Sequence, residues 1–376
     1  MKQVFIENLK INKVRHLKDI SIHVSENECR HIIFTGKNGS GKTSVLDAIA
    51  SFINSVTLGE GINGPESGSG VWADFNITFA EIKEQFESGK LIVAYYRADR
   101  VFSSVEPKHV EKVQLKSEYA IDDMPRSEFI KYLLDLKMTQ ALALANGKMD
   151  KANTISIWFE KFDNLLKQIF DDKSVELVFD EETFKFSIVM DGREPFDFNT
   201  LSSGYAAVLD IVVDLIIRME KQLNRSFDFS ISGVVLIDEI ETHLHLELQK
   251  NIMKLLTTVF PNIQFIVSSH SPFILNSLDN VVIYDLEKKV LVDGGLADVP
   301  YSGIVEGYFK ADELSDELRR KFDEYRLIAN KIKLDTDDYE RIADLEMYLD
   351  EIPDYLALQL TTEYQELKAK LRAKEE

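Results

Sequence analysis

Hydrophobic and polar residues alternate along several short stretches at the start of the chain, which is the pattern of half-buried β-strands. Alternation or an unbroken apolar run predicts strands over residues 4–11, 20–24, 31–34, 74–79 and 91–96. Helical spacing over 80–88 predicts an amphipathic helix, and the Gly- and Ser-rich stretch 55–70 predicts a surface loop. Residues 1–100 are therefore expected to form one mixed α/β lobe.

The apolar spacing becomes helical over residues 101–173, for example at Phe129 and Leu133, and this predicts a helical insertion. Strand patterns return further along, at 175–178, 184–190, 233–237 and 263–267. Residues 174–300 are therefore expected to complete the α/β lobe.

Residues 301–376 return to helical spacing and are expected to form a helical acidic tail. A first apolar stripe consists of Leu314, Leu318, Phe322, Tyr325, Ile328 and Ile332. Asp335 and Thr336 predict the cap of a second helix that runs to Pro353. An apolar stripe needs burial, and we expect this one to pack against the α/β lobe or against a partner.

The apolar run at 31–34 leads directly into a glycine-rich loop that opens a helix. The loop is Gly36, Lys37, Asn38, Gly39, Ser40, Gly41, Lys42 and Thr43, followed by Ser44. Its spacing, G-x-x-x-x-G-K-[ST] between a strand and a helix, is that of a phosphate-binding loop. Backbone N–H groups of such a loop surround a phosphate, Lys42 can reach the β- and γ-phosphates, and Thr43 can bind Mg²⁺. The sequence therefore predicts a site for a nucleoside triphosphate and Mg²⁺.

Two carboxylates, Asp238 and Glu239, end the buried strand at 233–237. At the end of a core strand, Asp238 is suited to hold Mg²⁺ directly or through water. Glu239 would then face the γ-phosphate, where a carboxylate can orient or deprotonate the attacking water. The alternative is a strand that merely ends in solvent with two acids.

Three histidines lie near these strand ends. His270 closely follows the strand at 263–267, where a contact with the γ-phosphate is geometrically reasonable, although a lone histidine is more often structural. His243 and His245 could suggest a metal site, but their i, i+2 spacing does not put both on one helix face. We therefore expect no metal ligation by these two residues.

Two further segments have both a functional and an ordinary interpretation. Ser202, Ser203 and Gly204 open a long helix, whose N-terminus can hold an anion, yet such a turn alone is equally an ordinary N-cap. Arg15 lies in a short basic turn and, taken alone, is a surface arginine.

Composition limits the classes of protein that fit. The chain is 45% hydrophobic and has a single cysteine. It begins without a secretory signal pattern, and no uncharged apolar run approaches the ~20 residues that span a bilayer. A cytoplasmic protein without membrane contact is therefore expected. The net charge of −20, with 19 acidic and 11 basic residues in 311–376, argues against a general affinity for DNA.

In this order the four motifs resemble those of ABC-type ATPases, and within them the soluble branch shared by RecF, the structural-maintenance-of-chromosomes (SMC) proteins and the OLD-family ATPases. The resemblance covers about residues 1–100 and 174–290. It implies an ABC-ATPase-type P-loop domain of α/β class, a mixed sheet with flanking helices, with a helical insertion and a helical C-terminal tail. ATP and Mg²⁺ are the implied ligands.

The resemblance also assigns roles to individual residues. It makes residues 36–44 the Walker A loop, 201–204 the signature motif, Asp238 and Glu239 the Walker B pair, and His270 the switch histidine. It places Arg15 near the adenine or the α-phosphate.

The sequence departs from the family pattern in three places. Ser203 and Tyr205 stand where transporter ATPases favour Gly and Gln, and Ile240 replaces the proline of the OLD-like pattern after Walker B. The position of the Q-loop glutamine stays open among Gln85, Arg97 and Arg100.

The mechanism of the family implies a self-association. ATP bound at one Walker A loop would be completed by Ser202, Ser203 and Gly204 of a second copy, so that two chains close head to tail, or build a larger homo-oligomer. Hydrolysis through Glu239 would reopen the dimer.

Two functions follow from the resemblance. In the first, the chain is an ATPase that controls a separately encoded effector in bacterial anti-phage defence; the helical tail leaves no sign of the Toprim nuclease domain of OLD nucleases. In the second, it is a RecF/SMC-like DNA repair or recombination ATPase that clamps duplex DNA, which the fold and basic residues such as Lys108 and Lys112 favour.

Overall fold

The computed structural model of the 376-residue chain describes residues 3–60, 64, 70–100, 102, 104, 107, 109–304, 316–331, 333–350 and 358–375. The chain divides into two units, residues 1–299 and 300–376. Several sequence predictions lie outside the described residues: half of the loop at 55–70, and Lys108, Leu314, Ile332 and Pro353. Within that predicted loop, residues 55–58 instead belong to the end of a helix.

Strands and helices alternate through the first unit, and helices make up the second. The strands are β1 (Ile6–Val14), β2 (Leu17–His23), β3 (His31–Thr35), β4 (Gly70–Phe75), β5 (Leu91–Tyr96), β6 (Glu176–Asp180), β7 (Lys185–Val189), β8 (Ser232–Ile237), β9 (Ile263–Ser268), β10 (Val281–Asp285) and β11 (Val290–Asp293). The helices are α1 (Lys42–Leu58), α2 (Phe79–Glu87), α3 (Phe129–Ala145), α4 (Met149–Phe170), α5 (Ser203–Leu223), α6 (Leu246–Val259), α7 (Pro272–Leu275), α8 (Tyr301–Gly303), α9 (Asp316–Ala329), α10 (Thr336–Leu349) and α11 (Leu358–Glu375). None of the helices in the described part of the chain is long and apolar enough to cross a bilayer.

A six-stranded sheet in the order β11-β10-β3-β9-β8-β5 forms the centre of the first unit. Its strands are parallel except for β11, which pairs antiparallel at the edge. Every residue of β3, β5, β8, β9 and β10 is buried, as expected for parallel strands covered on both faces. The predicted fold class, a mixed sheet with flanking helices, is confirmed.

A smaller antiparallel sheet, β2-β1-β4, packs with α1 to form one core with the central sheet. Polar side chains join the two sheets. Gln264 of β9 is fully buried; its Oε1 accepts from Ile6 N–H at 2.8 Å, and its Nε2 donates to Arg30 O at 2.8 Å. Ser232 Oγ accepts from Val4 N–H at 2.7 Å.

The predicted strand at 74–79 was misplaced, since β4 is observed at Gly70–Phe75. The reason is a capping box at the start of α2. Thr78 Oγ1 accepts from Glu81 N–H at 3.3 Å, and the Glu81 carboxylate accepts from Thr78 N–H at 2.8 Å. These bonds commit residues 78–81 to a helix start.

The region between β5 and α5 contains the helical hairpin α3–α4 and the two-stranded sheet β6–β7. Of its described residues, 109–124 form no helix, so the helical part of the insertion is confined to residues 125–170. The hairpin β6–β7 pairs with itself and not with the central sheet.

The second unit has its own apolar core, shared by three helices. It is built from Phe322, Tyr325, Ile328, Ala329, Ile342, Leu345, Leu349, Leu360, Tyr364, Leu367 and Leu371. The expectation that the tail's stripe packs on the α/β lobe or on a partner was therefore wrong, because α11 supplies the apolar face that covers α9 and α10. Asp335 caps α10 as predicted, with Oδ1 accepting from Asp338 N–H at 2.9 Å.

Strands β3, β9 and β8 are parallel neighbours, and this arrangement determines where the predicted site residues lie. The phosphate loop, the pair Asp238–Glu239 and His270 follow the carboxyl ends of these three neighbouring strands. Carboxyl ends of parallel strands meet at one edge of the sheet, where ligands bind in open α/β folds.

Candidate nucleotide-binding site

The glycine-rich loop between β3 and α1 has a backbone that requires glycine at two positions. Gly36 has φ +131°, and a Cβ there would lie 2.9 Å from Ser40 Oγ. Gly41, directly before α1, has φ +99°, and a Cβ there would lie 3.0 Å from Leu17 Cδ1. The loop therefore curls tightly onto the N-terminus of α1, where the N–H groups of the first turn lack helical partners. This is the geometry of a phosphate cradle.

A cavity of about 320 Å³ lies against this loop. It is lined by Arg15, His16, Asn38, Gly39, Gly41, Lys42, Thr43, Ser44 and Glu239. The structure thus brings the phosphate loop together with Arg15, in the turn between β1 and β2, and with Glu239, after β8. Gly36, Lys37 and Ser40 complete the loop behind the cavity wall.

The Lys42 ammonium is held inside the loop. Its Nζ donates to Gly36 O at 2.8 Å and to Lys37 O at 3.3 Å, and the residue is buried. Lys37 is not among the residues that line the cavity, and its ammonium pairs with Glu287 at 3.0 Å. Of the two lysines in the motif, Lys42 is the one placed to meet a phosphate.

Asp238 and Glu239 are both tied to Ser268, at the end of the neighbouring strand β9. The Ser268 hydroxyl donates to Asp238 Oδ1, and Glu239 N–H donates to Ser268 Oγ at 2.8 Å. Asp238 is buried, and its N–H donates to Tyr96 O at 2.8 Å. Glu239 is half-buried with φ +44°, a left-handed conformation that turns its side chain toward the cavity wall.

The oxygen donors at the site fit Mg²⁺. Thr43 offers a hydroxyl from the cavity wall, and Asp238 has a second carboxylate oxygen besides the one that Ser268 contacts. Mg²⁺ takes few protein ligands and keeps waters and phosphate oxygens for the rest. Within the described residues no group of three or more His, Cys, Asp and Glu could hold a metal alone. His245 instead caps α6, since its Nδ1 accepts from Leu248 N–H at 3.4 Å.

His270 is coupled to a buried carboxylate. Glu241 Oε1 accepts from His270 N–H at 2.8 Å and lies 3.0 Å from His270 Nδ1. The side-chain hydrogen bond between the imidazole and Glu241 raises the pKa of His270 above its ordinary value. Burial raises the pKa of Glu241, but the bonds from His270 outweigh it, so that pKa is lowered. His270 is not part of the cavity wall, yet the charges of Lys42 and Glu239 act on its pKa.

Ser202, Ser203 and Gly204 do not line this cavity. They open α5, where a Cβ on Gly204 would lie 3.1 Å from His243 O, so α5 packs closely on the segment after β8. The Ser202 side chain makes no capping hydrogen bond to any of the residues that the structure describes. The interpretation of this serine as an ordinary N-cap therefore lacks its defining contact.

Sequence analysis assigned no role to Ser268 or Glu241, and left the Q-loop position open. Gln85 lies in α2, Arg97 pairs with Asp47 at 2.9 Å, and Arg100 is buried against the backbone after β8. Ser268 could have been identified from its position at the end of the strand that pairs with β8. That pairing is known only once the strand order is known.

Comparison with known proteins gives one family and several relatives. Residues 111–276 match the family described as "AAA domain, putative AbiEii toxin, Type IV TA system". The Septu protein PtuA of Bacillus mycoides (strain KBAB4) is 25% identical over 365 residues, covering 92% of this chain and 50% of PtuA. The Retron Ec83 probable ATPase of Escherichia coli is 25% identical over 287 residues, covering 72% of this chain and 50% of that protein.

A shorter match is closer in sequence. The Retron Vc95 probable ATPase of Vibrio cholerae serotype O1 biovar El Tor is 40% identical over 94 residues, 24% of this chain and 18% of that protein. The chain spans about half the length of PtuA and of the Ec83 protein.

Solved structures of SMC heads align more loosely. The SmcHead bound to the C-winged helix domain of ScpA aligns with a TM-score of 0.41 and 15% identity, over 79% of this chain and 100% of that one. The SMC head domain from Thermotoga maritima aligns with a TM-score of 0.39 and 14% identity, over 77% and 96%.

The family match and the named ATPases among the relatives bear out the predicted resemblance to P-loop ATPases. Residues 111–276 thus match an AAA-type domain, and the chain is related to Septu PtuA and to retron ATPases.

Proposed function

We propose that the chain binds ATP and Mg²⁺ in the cavity beside α1, hydrolyses ATP through Glu239, and uses nucleotide-dependent dimerisation to control a separately encoded effector in bacterial anti-phage defence. The observation that carries the proposal is the shared cavity wall of Arg15, Lys42, Thr43 and Glu239. A cytoplasmic location is part of the same proposal.

Each residue at the site has a chemical task in this mechanism. The N–H groups of the loop and the Lys42 ammonium bind the β- and γ-phosphates. Thr43 and Asp238 would hold Mg²⁺, which would neutralise phosphate charge when bound. Glu239 orients the attacking water and accepts its proton, while His270, whose pKa is raised by its hydrogen bond to Glu241, is placed to donate toward the γ-phosphate. Arg15 is suited to the adenine end or the α-phosphate.

The position of the signature residues supports a dimer. Ser202, Ser203 and Gly204 lie outside the cavity of their own chain, at the N-terminus of α5. In a head-to-tail pair these residues would reach the γ-phosphate on the second copy, where the positive end of α5 favours an anion. The role in defence, and the effector as partner, are supported by the similarity to Septu PtuA and the retron ATPases.

Phosphate release and nucleotide binding of the purified chain test this proposal directly. Lys42→Ala removes charged hydrogen bonds of about 1.5–3 kcal/mol, so ATP affinity should fall about 10- to 100-fold. Glu239→Gln should still bind ATP, but its turnover should be about 10²–10⁴-fold lower. With ATP and Mg²⁺ present, this variant should be a dimer, so its molecular mass in solution should be twice that of the monomer. Lys10→Ala, an exposed lysine on β1, is the matched control.

Three results would contradict parts of the proposal. Undiminished ATP binding by Lys42→Ala would remove the site assignment, and an unchanged mass of Glu239→Gln with ATP would remove the dimer. Turnover stimulated by duplex DNA, and lost at higher salt, would instead favour the DNA-clamping function.

A further inference from the structure

We propose that Arg100 is a positioning residue that fixes the turn after β8, and so sets the location of the Glu239 carboxylate in the cavity. This inference rests on the proposed function of Glu239. Arg100 does not line the cavity, and its hydrogen bonds to the turn go to backbone carbonyl groups, so it would act through the backbone of the turn.

The guanidinium of Arg100 donates to consecutive carbonyl groups of the turn. Nη1 donates to Asp238 O at 2.6 Å, and Nη2 donates to Glu239 O at 3.0 Å and to Ile240 O at 3.4 Å. Nη1 also donates to Arg97 O at 3.0 Å, within the same segment as Arg100. Arg100 is only 5% exposed, so these bonds lie away from water.

The opposite side of the turn is held by β9. Glu239 N–H donates to Ser268 Oγ at 2.8 Å, and Ile240 N–H donates to Ser268 O at 3.1 Å. The N–H groups of Glu239 and Ile240 thus bond to Ser268 of β9, and the three carbonyl groups bond to Arg100; Glu239 O also accepts from Thr242 N–H at 2.9 Å. Removal of Arg100 would take away its contacts with the carbonyl groups while leaving the bonds to β9 in place.

This turn needs external support because Glu239 has φ +44°. A non-glycine residue in the left-handed region is strained, and such a conformation persists only where its surroundings impose it. Without the carbonyl contacts, the turn would relax toward ordinary backbone angles and carry the carboxylate out of the cavity wall.

Charge gives Arg100 a second effect on the same turn. The carboxylates of Asp210, Glu241, Asp238 and Glu239 all act on the guanidinium. Burial lowers the pKa of Arg100, and these four acids oppose that shift. A cation at this place offsets the mutual repulsion of the acids that the mechanism uses.

Lysine cannot replace arginine here, since one ammonium lacks the planar fork that serves several carbonyl groups at once. Arg100→Lys keeps the charge and removes the fork, so it separates the two effects. A displaced carboxylate should lower kcat about 10- to 100-fold. The dissociation constant for ATP should stay within about threefold, because the loop residues Lys42 and Thr43 are untouched.

The decisive measurement is a double-mutant cycle of Arg100→Lys with Glu239→Gln, read by single-turnover phosphate release. If Arg100 acts through Glu239, Arg100→Lys should cause no further loss in the Glu239→Gln background. If Arg100→Lys instead caused a general folding defect, it would lower the rate of phosphate release by the same factor in the wild-type and in the Glu239→Gln backgrounds. Arg193→Lys, an exposed arginine in the turn after β7, is the matched control and should match the wild type.

Arg100→Gln, which removes both the fork and the charge, provides a second variant, and its kcat should fall at least as far as that of Arg100→Lys. The inference is overturned by wild-type kcat in Arg100→Lys, by additive losses in the cycle, or by failure of both Arg100 variants to fold. A wild-type chain that neither binds nor hydrolyses ATP would overturn the proposed function itself, which is a different result.

Discussion

Glu241 accepts a side-chain bond and a backbone bond from His270, and lies almost wholly away from solvent. The partly exposed imidazole therefore stays protonated to a higher pH than an ordinary histidine. The charge of His270 is influenced by Glu241, which lies two positions before another histidine, His243, and the sequence does not mark the pairing of Glu241 with His270. At the scale of single residues, the site depends on such partners as much as on the motif residues.

Replacing Glu241 by Gln should lower the pKa of His270 toward the ordinary value of about 6.5. The carboxylate stabilises the charged imidazole, so without it the imidazole loses its proton at a lower pH. The fall in turnover on the alkaline side of the pH–rate profile should therefore begin at a lower pH than in the wild type. The measurement is an NMR titration of the histidine ring signals. Glu247→Gln, an exposed acid on α6, should leave the pKa of His270 unchanged. An unaltered pKa in Glu241→Gln would contradict the pairing.

The motif residues were predictable and their supports were not. Lys42, Asp238 and Glu239 lie within contiguous patterns whose spacing itself encodes the chemistry. Ser268 and Arg100 act on the turn after β8 from other elements. Their roles depend on strand order and on the left-handed φ of Glu239, neither of which a single sequence displays.

At the scale of elements, the hairpin α3–α4 is fixed to α5 by a buried carboxylate. Glu220 of α5 accepts from Trp158 Nε1 at 2.6 Å and from Tyr132 OH at 2.7 Å. Burial raises the pKa of Glu220, although the two donors oppose the shift. One side chain thereby joins three helices, and α5 is the helix that begins with the signature residues.

Glu220→Ala should destabilise this part of the chain by about 2–5 kcal/mol, because two buried donors each lose an acceptor at roughly 1–3 kcal/mol. The measurement is urea unfolding followed by the fluorescence of Trp158 in a Trp72→Phe background, since the chain has two tryptophans. Lys221→Ala, on the exposed side of α5, should change stability by less than about 0.5 kcal/mol. Equal effects of the two variants would show that Glu220 does not hold the hairpin.

Element boundaries show where sequence patterns stop being informative. The capping box at Thr78 and Glu81 is visible in the sequence, yet the alternation over 74–79 suggested a strand there. In the tail, the apolar stripe of α11 is a narrow seam with 4-3-4 spacing, at Leu360, Tyr364, Leu367 and Leu371. A narrow stripe among many charges is a weak signal, and without it the tail seemed to need a partner.

At the scale of the whole molecule, the chain contains two units, each with its own apolar core. Among the described residues of the second unit, those buried in its core come from α9, α10 and α11. Polar contacts reinforce it: Tyr325 OH donates to Glu346 at 2.8 Å, and Tyr364 OH donates to Asp350 at 2.8 Å. The acidic surface of the tail therefore surrounds a packed helical bundle.

Leu345→Ala should lower the stability of this bundle by about 2–5 kcal/mol, because it removes a buried side chain from a three-helix core. Amide hydrogen exchange should become faster throughout α9, α10 and α11. Met347→Ala, two positions away and 71% exposed, is the matched control. Exchange that accelerates only next to position 345 would argue against a single cooperative core.

The left-handed backbone at Glu239 also has an evolutionary consequence. Glycine would adopt this turn without strain, and asparagine with little, but neither carries a carboxylate. If Glu239 acts in hydrolysis as proposed, selection for folding stability and selection for hydrolysis favour different residues at this position. In a lineage that kept the proposed ATP-bound assembly but no longer needed turnover, position 239 should be among the first to change, and glycine is the residue expected to replace it.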